Sequence, residues 1–195
     1  MPASAAPFGL VPIKHVFGHT NFEVTWLPMT ANSATAIFLG DLVSLGSGAV
    51  AAATATPTTT RSANTPVGVC AGVRYVDTNG RQQWAKFLPA NAITNLGYTN
   101  VEIGVCRDPF IIYRVQSSGA TTAASIGRNA PLANFGGSTT TGLSTIHLLH
   151  ASIADTATLA VRIVGVDPAT VGDTYTNVDV IFVPGVHQLT NATGA

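Results

Sequence analysis

Charge is what this chain has least of. Its 195 residues include nine Lys and Arg against nine Asp and Glu, 9% in all, where a typical globular domain carries roughly 25%. The basic residues stand singly, from Lys14 and Arg61 to Arg128 and Arg162. Nucleic-acid binding draws most of its affinity from clustered cations, so no nucleic-acid partner is expected. Glu23 and Glu102 are the only glutamates; a glycosidase carboxylate pair would have to draw on Asp, and no paired spacing stands out. No apolar run reaches the roughly 18 residues a membrane helix needs, so no membrane partner is expected either. Met1 to Pro7 has no basic n-region and no apolar h-region. A secretory signal is therefore not expected, and synthesis is expected in the cytoplasm.

Motifs that carry chemistry are also missing. Cys70 and Cys106 sit in separate apolar segments with no Cys or His at metal-ligand spacing. They read as two reduced, buried thiols, with a cross-strand disulfide as the alternative. His15 and His19 stand four apart, but Gly18 lies between them and the glutamate of an HExxH motif is absent. His147 and His150 stand three apart, on opposite faces if in a strand. No GxSxG elbow, P-loop or GxGxxG is present, and Gly46-Ser47-Gly48 lacks a third glycine. Asn191-Ala192-Thr193 matches a glycosylation sequon, which has no meaning without secretion. The expectation is a protein that is not an enzyme and holds no cofactor and no metal.

What the chain does have is strand pattern. Val67, Val69, Ala71, Val73 and Tyr75 alternate and predict one buried face. Asp77-Thr78-Asn79-Gly80 follows, with Asn-Gly a favoured type I′ pair, and Gln83 to Leu88 reads as the returning strand. Val101, Ile103 and Val105 alternate again; Asp108-Pro109 interrupts; Phe110 to Gln116 resumes. Leu159 to Val166, Val178 to Val183 and Ile37 to Leu45 complete the set, the last with a bend at Gly40-Asp41. Glu, Lys and Gln are scarce, so exposed helical faces have little to be made from, though short helical turns near Ala51 or Pro131 are compatible with the pattern. Six to eight strands separated by turn signals predict an all-β fold: one antiparallel β-sandwich or jelly-roll-like barrel, with long Ser/Thr/Gly/Ala loops over 51–66 and 117–142.

The first 35 residues read differently. They are apolar, spaced by Pro2, Pro7, Pro12 and Pro28, and too long for a structureless loop in a compact domain. They are expected as an extended N-terminal arm (1–35) ahead of the β domain (36–195), with Phe8, Leu10, Val11, Ile13 and Phe17 as partner-binding residues. The arm has three places to pack: its own barrel, a sister subunit or another protein. Zero net charge together with 46% hydrophobic residues favours association, so a homo-oligomer is expected.

Several segments resemble the capsid decoration (cement) proteins of tailed bacteriophages. They are Phe8-Gly-Leu-Val-Pro12, the Gly40-Asp41 strand, Asp108-Pro109-Phe110 leading into Tyr113-Arg-Val-Gln116, Ile126-Gly-Arg-Asn-Ala130, Thr141-Gly-Leu-Ser144, Leu159 to Gly165, His187-Gln188 and Thr193-Gly194. The resemblance implies a virion protein that binds the major capsid protein on the outer face of an HK97-type shell, bridges capsomers and forms a homotrimer. Two other readings stay open. One is a different virion part, such as a head fibre, tail tube or minor tail protein. The other is a carbohydrate-binding β-sandwich, against which stands the near absence of aromatics, Phe135 apart, from the long loops.

Overall fold

The computed structural model describes residues 4–29, 31–46, 49–60, 62 and 64–192. Arg61, Ser47-Gly48 and Thr193-Gly194 lie outside the described residues. In chain order the strands are β1 (Val11–His15), β2 (Val24–Pro28), β3 (Ile37–Phe38), β4 (Leu42–Gly46), β5 (Ala49–Ala52), β6 (Pro66–Val76), β7 (Gln82–Ala85) and β8 (Phe87–Leu88). After one helical turn, α1 (Ala92–Asn95), come β9 (Thr99–Cys106), β10 (Ile111–Gln116), β11 (Asn129–Ala130), β12 (Leu132–Ala133), β13 (His147–Leu148), β14 (Val161–Val166) and β15 (Asn177–Phe182). The fold is all-β and every strand pair is antiparallel, as expected from the alternation. The helical turns fall at α1 and in 3-10 form at Ala123–Ser125 and His150–Ser152. Neither Ala51, which lies in β5, nor Pro131 is helical.

Two sheets dominate. Sheet one runs β1-β10-β15-β14-β11; sheet two runs β2-β9-β6-β4-β5, with β7 also paired to β6. The first core lies between them: Ile111, Tyr113 and Val115 of β10, with Ile163, Val178 and Val180, meet Leu42, Val69 and Cys106 of sheet two. Tyr113 is fully buried, meets Phe182 edge-on at 5.6 Å and donates its hydroxyl to Cys106 O at 3.4 Å. The second core gathers Ile37, Val43, Val67, Cys70, Val73, Val101, Ile103 and Val105 on the other face of sheet two. Edge strands β2 and β5 approach one another, so sheet two curls around this second core.

The central strand β6 departs from the single face its alternation predicts. Val67, Val73 and Tyr75 belong to the second core, whereas Val69 and Ala71 belong to the first. Register shifts against β9 between Cys70 and Gly72 and between Arg74 and Val76, and another against β4, carry the reversal. A bulge adds one residue to a strand and so exchanges the faces beyond it. The hairpin after β6 forms where expected, with Val76 opposite Gln82. Its turn is not type I′, because only Gly80 has positive φ, 74°. Gly80 N–H donates to Asp77 O at 3.0 Å, and the Asp77 carboxylate accepts Asn79 and Arg81 N–H at 2.9 and 3.0 Å. Asp77 thus replaces a second left-handed residue by side-chain capping of the turn.

The same sidedness decides the thiols. Val69 pairs with Cys106 and Cys70 with Val105 across β6 and β9, which turns Cys70 into the second core and Cys106 into the first. Both are free and buried, and burial pushes the Cys70 thiol up to about 12 and raises that of Cys106. Iodoacetamide at pH 8 is expected to label neither in the native protein and both after unfolding. The Cys70→Ala, Cys106→Ala double variant is expected to fold, at a cost of about 1–2 kcal/mol per site. An intact mass short of two protons under non-reducing conditions would overturn this.

The chain before residue 35 is not set apart from the β domain. β1 pairs with β10 at the edge of sheet one and β2 pairs with β9 at the edge of sheet two. Leu10 is 1% exposed, in the first core. The strand pattern of β1 is masked by a register shift between Pro12 and Lys14. Upstream, Gly9 (φ 77°) and Gly40 (φ 88°) cross in backbone contact, with Leu10 N–H donating to Gly40 O at 3.0 Å. A Cβ at Gly9 would stand 2.7 Å from Gly40 O, so the crossing requires glycine. Gln116 fastens the start, accepting Ala6 N–H at 2.9 Å and donating to Ser4 O at 3.0 Å.

Candidate partner-binding surface

The five arm residues divide between inside and outside. Leu10 is core, and Phe8 and Ile13 are half-buried. Val11 is exposed, and Phe17, at 80% exposure, is the most exposed large hydrophobic side chain among the described residues. The structure therefore takes Leu10 out of any partner contact and brings Phe17 together with residues far along the chain.

Phe17 sits on a knuckle made by two turns. The first closes β1: Gly18 N–H donates to His15 O and His15 N–H to His19 O, both at 2.8 Å. The second follows β9, where Asp108 Oδ1 accepts Phe110 N–H at 2.8 Å. Val16 N–H donating to Phe110 O at 3.0 Å joins them. His15, 5% exposed, is the pin. Its Nδ1 accepts Phe17 N–H at 3.2 Å, so Nε2 carries the proton and donates to Asp108 Oδ2 at 3.0 Å. His19 stacks on His15 at 4.3 Å and 12°. Phe17 and Phe110 flank the pair with ring centroids 6.3 Å apart, and Phe110 is 49% exposed. The result is an apolar tip whose backbone is fixed by hydrogen bonds from both turns.

Beside the tip lies a cleft of about 550 Å³ lined by His15, His19, Glu23, Arg107 and Asp108 among others. Among the described residues no three His, Cys, Asp or Glu are grouped closely enough to hold a metal ion. Nor is any helix among them long and apolar enough to cross a membrane. His147 and His150 do not converge: His147 Nδ1 meets Thr145 O at 3.2 Å, whereas His150 Nδ1 meets Thr121 Oγ1 at 3.1 Å.

A second aromatic surface lies away from the long loops. It lies on strands: Trp26, Arg74, Trp84 and Glu102 stand together on the face of sheet two that carries Cys106, beyond the edge of the first core. No family model, curated protein or solved structure matches the chain.

Proposed function

We propose that this chain is a structural virion protein that binds the outer surface of an HK97-type phage capsid as a homo-oligomer and bridges capsomers. The observation that carries the reading is the knuckle. Phe17 and Phe110 are exposed on a backbone pinned by His15 and Asp108, so ordering them against a partner costs little conformational entropy. Burying two aromatic side chains contributes several kcal/mol at ~25 cal/mol per Å², and repetition across an oligomer multiplies it through avidity. The neutral, charge-poor surface and the resemblance to decoration proteins support the same reading.

Deleting residues 1–19 is a poor test, because it removes β1 and the buried Leu10 along with the knuckle. Phe17→Asp changes a side chain that is 80% exposed, and Phe110→Asp one that is 49% exposed and packs edge-on against His15. Mixed with capsids stripped of their surface proteins, the wild-type protein is expected to co-sediment at stoichiometric level. Phe17→Asp is expected to keep the thermal unfolding temperature, Phe110→Asp to lower it slightly, and each to bind at least roughly tenfold more weakly. Failure of the wild-type protein to co-sediment, or a monodisperse 20 kDa monomer in light scattering, would sink the proposal.

A further inference from the structure

The face of sheet two that enters the first core through Leu42, Val69 and Cys106 continues past that core into solvent. There β7, β6 and β9 place Trp84 opposite Arg74 and Arg74 opposite Glu102, while Trp26 of β2 lies opposite Gly104. Gly104 is the floor: a Cβ there would stand 3.0 Å from the Trp26 ring. The Arg74 guanidinium lies 4.6 Å from the Trp26 ring centroid and 5.8 Å from that of Trp84, and it is ion-paired with Glu102. The two indoles meet edge to face at 5.1 Å, and Trp84 is 64% exposed. At the end of the β6–β9 pair a groove of about 740 Å³ opens beside them, lined by Met29, Arg74, Gln82, Ile93, Asn100 and Glu102 among others, with neither indole in its wall. Tyr75 and Tyr98 stack in its wall at 4.1 Å and 11°. Asn100 holds a left-handed backbone, φ 49°, which asparagine adopts more readily than most residues.

We propose that the exposed Trp84 ring and the groove beside it bind a neutral oligosaccharide. The apolar C–H face of a pyranose packs on an exposed aromatic ring, and Trp84, 64% exposed, stands next to Arg74 of the groove wall. Sugar hydroxyls need donors and acceptors without net field. Gln82 and Asn100 supply amides, and Arg74 with Glu102 supplies a cancelled pair of charges, which gives an anionic ligand no advantage. The groove volume suits a short ligand of two or three rings. A flat protein partner would need roughly 800 Å² of complementary surface on this side, which a concave groove does not present. The site stands apart from the knuckle and holds whether or not the capsid reading does.

The intact protein would be applied to an array of neutral di- to tetrasaccharides of glucose, galactose, mannose and N-acetylglucosamine, with sialylated and sulfated glycans alongside. Hits would be followed by calorimetry. Binding of a neutral saccharide is expected with a dissociation constant on the order of 1 mM or tighter. Trp84→Ala and Gln82→Ala are expected to weaken it about tenfold or more, with unfolding temperature unchanged, while Val171→Ala on a remote loop leaves it intact. Three results would overturn the proposal: no neutral ligand; binding confined to anionic glycans and suppressed by salt; or full affinity in Trp84→Ala. Dissociation of an oligomer by Trp84→Ala would likewise overturn it and assign the face to a second copy of the chain.

Discussion

Urea unfolding of Asp41→Asn and His187→Gln is expected to give stability profiles of opposite slope across mildly acidic pH, around a wild-type profile that is nearly flat. Asp41 is buried at the β3–β4 bend, where its Oδ2 accepts Phe38 N–H at 2.8 Å. Its Oδ1 has no partner at hydrogen-bond distance, although the Ser144 hydroxyl, which donates to Gly136 O, lies near the carboxyl. Burial raises its carboxyl from 3.8 to about 6, against the smaller opposing effects of Ser144 and the Phe38 amide. His187 is fully buried against Phe182 and Val67, with Nδ1 accepting Leu189 N–H at 3.2 Å and Nε2 unpartnered. Burial depresses it from 6.5 to about 4, with Arg107 adding to the effect and the Val67 carbonyl and Asp108 opposing it. The folded value of Asp41 lies above its unfolded one, so its contribution is full below about pH 4 and is lost as pH rises through about 6. The folded value of His187 lies below, so its contribution is full above about pH 6.5 and is lost as pH falls through about 4. Each is worth on the order of 3 kcal/mol when complete, and in the same window they oppose. Asp41→Asn leaves only the histidine, so stability falls toward acid; His187→Gln leaves only the aspartate, so stability rises. Parallel profiles for the two variants would refute the burial of one group or both.

Much of the fold could be read from the residues because local pattern and tertiary contact agreed. Val101, Ile103 and Val105 alternate in β9, and all three lie in one core. The hairpin at Asp77 followed from its turn residues, although the capping by the Asp77 carboxylate displaced the type I′ geometry. The alternation misleads where a strand changes faces. The bulges in β6 are set by what β4 and β9 place opposite it, and only Gly68 and Gly72 within the apolar run hint at close approach. β1 was hidden because Pro12 and the register shift after it erase the alternation. Its identity as a strand comes from β10, which begins almost a hundred residues later.

The candidate sites are less legible still, since each is assembled across the sheets. His15 and His19 could be noticed by spacing, yet their partner Asp108 and the flanking Phe110 arrive from the β9–β10 turn. Trp26, Arg74, Trp84 and Glu102 come from four different strands and become neighbours only through register. Gly104 was the available signal. A glycine amid Val101, Ile103 and Val105 leaves room for a large ring above it.

Gly68→Ala is expected to be the most damaging single methyl group placed in the central strands. Gly68 lies in β6 opposite Val43, and its φ raises no objection to alanine, so the cost is one of space. An added Cβ would stand 2.2 Å from Cys106 O, 2.6 Å from Val105 Cγ1 and 2.9 Å from Cys106 C. Two of those three atoms are backbone, which no rotamer change can move aside. Relief requires β9 to withdraw from β6. That movement breaks the Val69–Cys106 and Cys70–Val105 pairing and strips Tyr113 of its acceptor, Cys106 O. It also opens both cores at once, because Val69 and Cys106 fill the first while Val67, Cys70 and Val105 fill the second. Overpacking alone costs roughly 1–3 kcal/mol, and disturbance on two sides places the expected loss at about 3 kcal/mol or more. For a chain of this size that lowers the unfolding temperature by on the order of 10 °C. Gly46→Ala is the matched control: a Cβ there meets nothing within 4 Å, and the change is expected to shift stability by no more than about 0.5 kcal/mol. Calorimetric scans of the two variants decide the matter. Equal unfolding temperatures would mean that β6 and β9 are not in backbone contact at Gly68, and that the two cores do not share the wall described between them.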